Sequence, residues 1–389
     1  MGLNKGLQIS NIVLLGLVSM FVDMSSEMVY PLIPLYLTSV LGATPAILGV
    51  IEGIAESLAS LLKVFSGYIA DQYRNKKQLT LWGYSAAVVY KVILLIAGSW
   101  SGVLAARVID RIGKGIRTAP RDALIAESCQ AENLGGSFGL HKMLDMLGSA
   151  LGILIAYFLV VSNFFSFRGV FIVSIIPAVL GVMVLLLVRE KKDGGSNHTK
   201  IDFNFRQLDW RFKAFLAIAC IFTLGNSSNA FLLLKAQTAG YNAQTVILLY
   251  FAYNLVASIL AWPSGKLSDR IGRRALLVAG YTLFGLVYIG FALSTSSAAF
   301  LLLFIVYGAY TAFTSGVERA LITELAPPNL KGTLLGMHAT LVGIALLPAS
   351  ILAGVLWDVF GAAAPFWFGG GLGLLAAAAI SIVLRIEPA

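Results

Sequence analysis

Asp23 and Glu27 stand four residues apart in the stretch FVDMSSEMVYP (residues 21–31), inside an apolar run from about Asn11 to Val40. On a helix that spacing puts both carboxyls on one face. An ionised acid at the centre of a bilayer costs ~2.5–3.5 kcal/mol or more, so such a pair faces a partner, a cavity or water. The chemistry open to it is proton exchange, cation binding, or static pairing with basic groups. Those basic groups stand in another apolar run. Arg107, Asp110, Arg111, Lys114, Arg117 and Arg121 fall within about 120° of arc at about 100° per residue. Such a stripe cannot face lipid. Arg107, Arg111 and Lys114 either pair with Asp110, Asp23 and Glu27 or meet an anionic solute, since a guanidinium presents paired donors that match carboxylate or phosphate. Glu52, Glu56 and Lys63 form a further stripe, and a later apolar segment carries His141, Lys142 and Asp145, with His141 expected to make a structural hydrogen bond. Asn226 and Asn229, in GNSSN, take roughly the place of the two acids in the second half of the chain. With Tyr30, Tyr250 and Asn254 they complete the expected substrate contacts; the tyrosines serve equally well as packing or interface anchors.

The elements that must position these groups are transmembrane helices. Hydrophobic residues make up 58% and charged residues 12% of the 389, and the mean hydropathy is +0.85, which leaves too little polar surface for a water-soluble domain. Twelve apolar segments approach the ~20 residues that cross a bilayer: 11–38, 46–70, 79–98, 102–126, 136–162, 168–188, 212–238, 244–265, 275–294, 299–324, 333–357 and 363–385. They are continuously apolar, without the period-two pattern of a membrane barrel, so the fold is expected to be all-α. No small-residue cleavage site follows the first segment, which is expected to be retained. The net charge of +9 does not indicate nucleic acid, because its distribution follows the bilayer. With both termini cytoplasmic, seventeen Lys and Arg fall in inside loops and termini, and one, Arg168, falls outside. That is the positive-inside asymmetry of an even number of spans in a prokaryotic inner membrane. Cys129 and Cys220 lie far apart and suggest neither disulfide nor metal site. No P-loop, HExxH or nucleophile elbow is present, so no enzyme activity, catalytic residue, metal or cofactor is expected.

The chain repeats itself. ALIAE at 123–127 returns as ALITE at 320–324, and Gly135, Gly139 and His141 return as Gly332, Gly336 and His338, all at an offset of 197; Gly67 and Asp71 return as Gly265 and Asp269 at 198. Two six-helix halves, 1–188 and 212–389, joined by a polar cytoplasmic linker at 189–211, account for this. Parallel halves put a substrate near the midplane between them.

GKLSDRIGRR (265–274) resembles the loop motif G-x-x-x-D-R-x-G-R-R of the major facilitator superfamily, with a degraded first copy, GYIADQYRNKK (67–77). Arg111 to Gly115 is similar to that superfamily's R-x-x-x-G motif, and DRIGKGIRTAPRD (110–122) resembles a largely uncharacterised prokaryotic subgroup of it. The resemblance implies two six-helix bundles and alternating access. It also implies that Asp71 meets the start of span 11 near Gly332, and Asp269 the start of span 5 near Gly135. Glu127 can then pair with Arg74 or Lys76, and Glu324 with Arg270, Arg273 or Arg274, so Asp71, Arg74, Glu127, Asp269, Arg270, Arg273 and Glu324 are expected to gate. The expected function is secondary active transport by a monomer, driven by a co-transported ion taken to be a proton on Asp23 or Glu27. The expected solute is a small anionic or carboxylate-rich metabolite or siderophore. Proton-coupled multidrug efflux is the alternative within transport; a channel, lipid scramblase or membrane receptor is the alternative outside it.

Overall fold

The computed structural model describes residues 2–72, 76–128, 134–161, 166–190, 209–294, 296–325 and 331–383, without the side chains of 2–10, 63–72, 126, 134–139, 262, 297, 323 and 331–333. The described residues hold helices and turns and no strand: α1 (Gly2–Val29), a 3-10 turn (Tyr30–Leu32), α2 (Ile33–Ser39), α3 (Pro45–Gln72), α4 (Lys76–Ile96), α5 (Trp100–Glu127), α6 (Leu134–Val161), α7 (Phe167–Leu187), α8 (Trp210–Gly225), α9 (Ala230–Thr238), α10 (Ala243–Ile271), α11 (Arg273–Leu293), α12 (Ser297–Leu325), α13 (Lys331–Phe360) and α14 (Ala364–Val383). Most of the polar stretch expected to link the halves lies outside the described residues.

Two of the expected continuous spans are broken. The first changes to a 3-10 turn at Tyr30, where Pro31 and Pro34 remove backbone donors that a continuing α-helix would use. The seventh opens at Asn226–Asn229, between α8 and α9. There the Asn226 N–H still bonds the Phe222 carbonyl at 3.0 Å, and the Ala230 N–H bonds Ser228 Oγ at 3.3 Å. Counting each broken pair once gives twelve spans. Eleven are apolar enough to cross a membrane by composition; the twelfth, α5, carries the charged stripe. Gly272, in the loop motif between α10 and α11, has φ +89°, a conformation that a side chain would strain. That explains a glycine at this point of the motif.

Contacts group the chain into two units, Met1–Gly42 with Ile54–His198, and Ala43–Gly53 with Thr199–Ala389. In the first, α1 packs on α6 and α7, and α4 on α5 and α7, around an apolar core that includes Leu15, Val18, Val22, Leu124 and Leu185. In the second, α8 packs on α13 and α14, and α11 on α12 and α14, so the pairing of spans 1, 3, 4, 5 and 6 recurs among spans 7, 9, 10, 11 and 12. The start of α3 belongs to the second unit: a Cβ on Gly49 would lie 2.2 Å from the Ser350 carbonyl oxygen, and the Ala46 N–H bonds Asp358 Oδ2 at 3.1 Å.

The α1–α6 seam depends on two glycines. A Cβ on Gly148 would lie 2.1 Å from the Met20 carbonyl oxygen, and one on Gly152 2.2 Å from that of Met24. Backbone cannot yield as a flexible side chain would, so Gly152→Val is expected to destabilise the protein by about 1–3 kcal/mol or more and to lower its melting temperature in detergent. Gly371→Ala, where no atom lies within 4 Å of the added Cβ, is expected to leave it unchanged or slightly higher. Equal melting of wild type and Gly152→Val would mean that the seam is not close-packed.

Candidate functional site: a charged cavity in the first unit

Close approach of α4 and α5 sets the α5 stripe in place. A Cβ on Gly83 would lie 2.7 Å from the Gly113 carbonyl oxygen and 2.5 Å from Arg117 Cβ, so only a glycine lets the helices meet there. With α1 and α6 they enclose a cavity of about 220 Å³. Asp23, Ser26, Glu27 and Tyr30 line it from α1, and Tyr90 from α4. From α5 come Arg107, Asp110, Arg111, Lys114 and Arg117, and from α6 Lys142, Asp145 and Ser149. All of these belong to the first unit. Five basic groups thus face four carboxyls.

The charges are partly paired. Arg111 Nη2 bonds Glu56 at 2.8 Å, and its Nε lies 3.9 Å from Asp110. Lys142 Nζ bonds Asp145 Oδ2 at 2.7 Å. Arg117 Nη2 is 4.0 Å from Asp23 Oδ1, and its guanidinium sits 4.4 Å over the Tyr84 ring. Arg107 lies 5.5 Å over Tyr30, a cation–π contact. Lys91 on α4 is fully buried, with its ammonium 4.7 Å over Tyr90 and among the charges of Asp110, Asp23, Arg107 and Arg117. Asp23 from α1 and Asp145 from α6 thus face the same cavity as Arg117 and Lys142. His141 Nε2 meets Ser19 Oγ at 2.8 Å, and Ser19 meets Tyr84 Oη at 2.8 Å, a structural linkage between α1, α4 and α6.

Of the expected substrate and coupling residues, the structure brings Asp23, Glu27, Tyr30, Arg107, Arg111 and Lys114 to this cavity. The others form a neutral network in the second unit. Asn226 Nδ2 donates to Tyr310 Oη at 2.8 Å, and Tyr307 Oη donates to Asn229 Oδ1 at 2.8 Å. Tyr253 stacks obliquely between Tyr250 and Tyr307, at 5.8 and 5.1 Å, and Asn254 Nδ2 bonds the Tyr250 carbonyl at 2.9 Å. The repeat offset of 197 maps Lys91 onto Tyr288, Arg107 onto Phe304 and Asp110 onto Tyr307. The second unit therefore holds phenols and an aromatic ring where the first holds charges. Glu52 and Glu56, one turn apart, part company: Ser228 Oγ donates to Glu52 at 3.0 Å in the second unit, whereas Glu56 holds Arg111 in the first.

At the helix ends, Lys76 forms an ion pair with Glu127. Arg273 joins Asp269 (2.5 Å) and Glu324 (2.9 Å) within the second unit, while Arg270 is exposed. Arg74 and the side chain of Asp71 lie outside the described residues, as do the side chains of Gly135 and its neighbours. Sequence reasoning left Arg117, Lys142, Asp145, Tyr90 and Lys91 out of the site. Arg117 was marked by its place on the α5 stripe; the others come from α4 and α6 and carry no periodic signal linking them to Asp23.

The major facilitator superfamily family model matches residues 15–234 and 214–389. The chain is 35% identical over 355 residues to an uncharacterised MFS-type transporter of Methanocaldococcus jannaschii, covering 90% of this chain and 89% of that one. It is 24% identical to the gentisate transporter of Corynebacterium glutamicum, over 99% and 91% of the two chains. A crystal structure of a mutant of the nucleoside transporter NupG has a similar fold, with a TM-score of 0.82 at 12% identity, over 96% of this chain and 99% of that one.

Arg111, which lines the cavity, and Glu56 of α3 form an ion pair at 2.8 Å, and a double-mutant cycle tests how much each needs the other. Arg111→Gln and Glu56→Gln are each expected to destabilise the protein, and the double variant to be more stable than the sum predicts, by about 0.5–3 kcal/mol of coupling. Strict additivity of the melting shifts would mean that the two charges are solvated independently.

Proposed function

Because the chain belongs to the major facilitator superfamily, whose members are membrane transporters and not enzymes, we propose that it moves a small organic anion by alternating access, coupled to protons. The solute is a carboxylate-rich metabolite or siderophore, and the membrane is a prokaryotic inner membrane with both chain termini on the cytoplasmic side. A monomer suffices for this cycle. The observation that carries the reading is the cavity of the first unit, where five basic side chains from α5 and α6 meet four acids. Basic groups at membrane depth are kept only with partners, and when Glu56, which holds Arg111, and the buried Lys91 are added to the lining residues, six bases meet five acids, still one fewer. A carboxylate solute supplies the missing charge, with Arg107, Arg111, Lys114 and Tyr30 as contacts. The relative named for gentisate, a carboxylate, supports the same class of solute. Asn226, Asn229, Tyr250 and Asn254 offer the second unit's neutral donors and acceptors. Asp23 and Glu27 exchange the driving proton. The ion pairs of Glu127 with Lys76 and of Arg273 with Asp269 and Glu324, together with Asp71, Arg74 and Arg270, serve as gates at the basic, cytoplasmic ends of the helices.

Purified protein screened by thermal shift against carboxylates, siderophores and lipophilic cations tests the reading. A ligand present at about 100 times its Kd stabilises the folded state by about 2.7 kcal/mol. Carboxylates are expected to raise the melting temperature, and Arg111→Gln or Lys114→Gln to weaken that binding about tenfold or more, the loss of a charge-assisted hydrogen bond. In proteoliposomes the same solute is expected to accumulate uphill under a pH gradient, which a channel, scramblase or receptor does not do. Binding of lipophilic cations, undiminished in those variants, would replace anion transport with drug export.

A further inference from the structure

We infer that the solute of the first unit's cavity is a small polyhydroxy carboxylate, of the sugar-acid class, with its carboxylate on Arg117 and a neighbouring hydroxyl on Asp23. The inference rests on the anion-transport reading above and narrows its solute.

The lining carries it. Of the thirteen side chains around the cavity, nine are charged, two are serines and two are tyrosines, and no aliphatic side chain is among them. Sites for drug-sized ligands are lined mainly by apolar and aromatic side chains and enclose ~300–1,000 Å³, whereas this cavity encloses about 220 Å³. A lipophilic anion would strip water from these groups and give most of them no partner in return. The bases answer a carboxylate; the acids call for donors. Asp23, Asp110 and Asp145 each offer about four acceptor sites, more than their ion pairs with Arg117, Arg111 and Lys142 fill. A carboxyl keeps acceptor lone pairs even when protonated. Ser149 Oγ donates to the Asp145 carbonyl at 3.2 Å, so towards the solute its oxygen accepts as well. Hydroxyls meet these acceptors. Ammonium groups would do so too, but the bases outnumber the acids by one once Glu56 and Lys91 are counted. A zwitterion brings no net charge to that excess, and a hydroxy acid brings a negative one.

Arg117 and Asp23 mark the docking point. Arg117 Nη2 stands 4.0 Å from Asp23 Oδ1, beyond hydrogen-bond reach, and Nη1 has no hydrogen-bond partner among the described residues. The side chain is 5% exposed and lines the cavity. It is held before any solute arrives. Its guanidinium lies 4.4 Å from the centre of the Tyr84 ring, and the Tyr84 hydroxyl is tied to Ser19 at 2.8 Å. Close packing against Gly83 fixes the start of the side chain, since a Cβ there would lie 2.5 Å from Arg117 Cβ. A pair this loose has space for a third partner. A carboxylate suits the paired donors of a guanidinium, and a hydroxyl on the adjoining carbon then donates to Asp23, so one fragment of the solute meets donor and acceptor together.

Titration calorimetry on the purified full chain tests this with pairs that share a carbon skeleton, gluconate against hexanoate and tartrate against succinate, and with glucose and benzoate beside them. Gluconate and tartrate are each expected to bind about tenfold or more tightly than their partners, as in a site built to hydrogen-bond a hydroxyl. Glucose, which lacks the carboxylate, is expected to bind about tenfold or more weakly than gluconate. Arg117→Gln is expected to weaken gluconate and tartrate by about tenfold or more, with part of the loss recovered in Arg117→Lys, which keeps the charge without the fork. In Asp23→Ala the tartrate-to-succinate ratio is expected to fall towards one. A ratio taken within one variant is independent of the fraction folded, and a merely structural role for Asp23 leaves it unmoved. Carboxylates bound without regard to their hydroxyls, an unmoved ratio in Asp23→Ala, undiminished binding in Arg117→Gln, or benzoate preferred to gluconate and tartrate overturns the inference and leaves the anion reading standing. Glucose bound as tightly as gluconate, or no carboxylate bound at all, overturns both.

Discussion

An ionised side chain at membrane depth must find a partner or water, because hydrocarbon offers neither hydrogen bond nor dielectric screening. The first unit is arranged around that constraint. Helix α5 buries Arg107, Asp110, Arg111 and Arg117, and every neighbouring helix answers it. Glu56 comes from α3, Tyr84, Tyr90 and Lys91 from α4, Asp23 from α1, and Asp145 with Lys142 from α6. The glycines at 83, 113, 148 and 152 follow from the same demand: short polar contacts between helices need backbones close enough for the side chains to reach.

The second unit uses the same pairing of helices for different chemistry. Gly280, at the repeat position of Gly83, brings α11 against Thr314 of α12, the residue that corresponds to Arg117 by the offset of 197. Tyr281 repeats Tyr84, but it stacks on Phe222 at 4.0 Å and donates to Glu318 at 2.9 Å, where Tyr84 meets Ser19 and the Arg117 guanidinium. Duplication preserved the sites of contact between helices and left the side chains at those sites free to diverge. The first unit's cavity gathers nine charged side chains, whereas the second unit's Asn–Tyr network gives hydrogen bonds between neutral groups, with Glu318 and His338 meeting each other nearby.

Composition and periodicity carried the architecture. Eleven long apolar runs with a charged twelfth, the asymmetry of Lys and Arg between loops, and the repeat offset were legible because bilayer thickness and helical pitch act on residues close together in sequence. The stripe on α5 and the pairing of Asp23 with Glu27 on one face were legible for the same reason. The breaks at Tyr30–Leu32 and Asn226–Asn229 were not drawn from the pattern, although Pro31, Pro34 and GNSSN were their local causes, since hydropathy does not register a backbone turn inside an apolar run. Which base meets which acid was likewise open. Arg111 takes Glu56, and Arg117 Nη1, with no hydrogen-bond partner among the described residues, is one of the buried donors left over, whereas no Lys114 atom is. By itself the sequence determined a twelve-span, duplicated, all-helical membrane protein with a charged interior. Tertiary structure alone decided that Asp145 shares a cavity with Asp23, that Glu52 and Glu56 serve different units, and that the charged cavity lies within the first, because side-chain meetings across helices depend on seams that place residues more than a hundred positions apart within a few ångströms, and no local period encodes them.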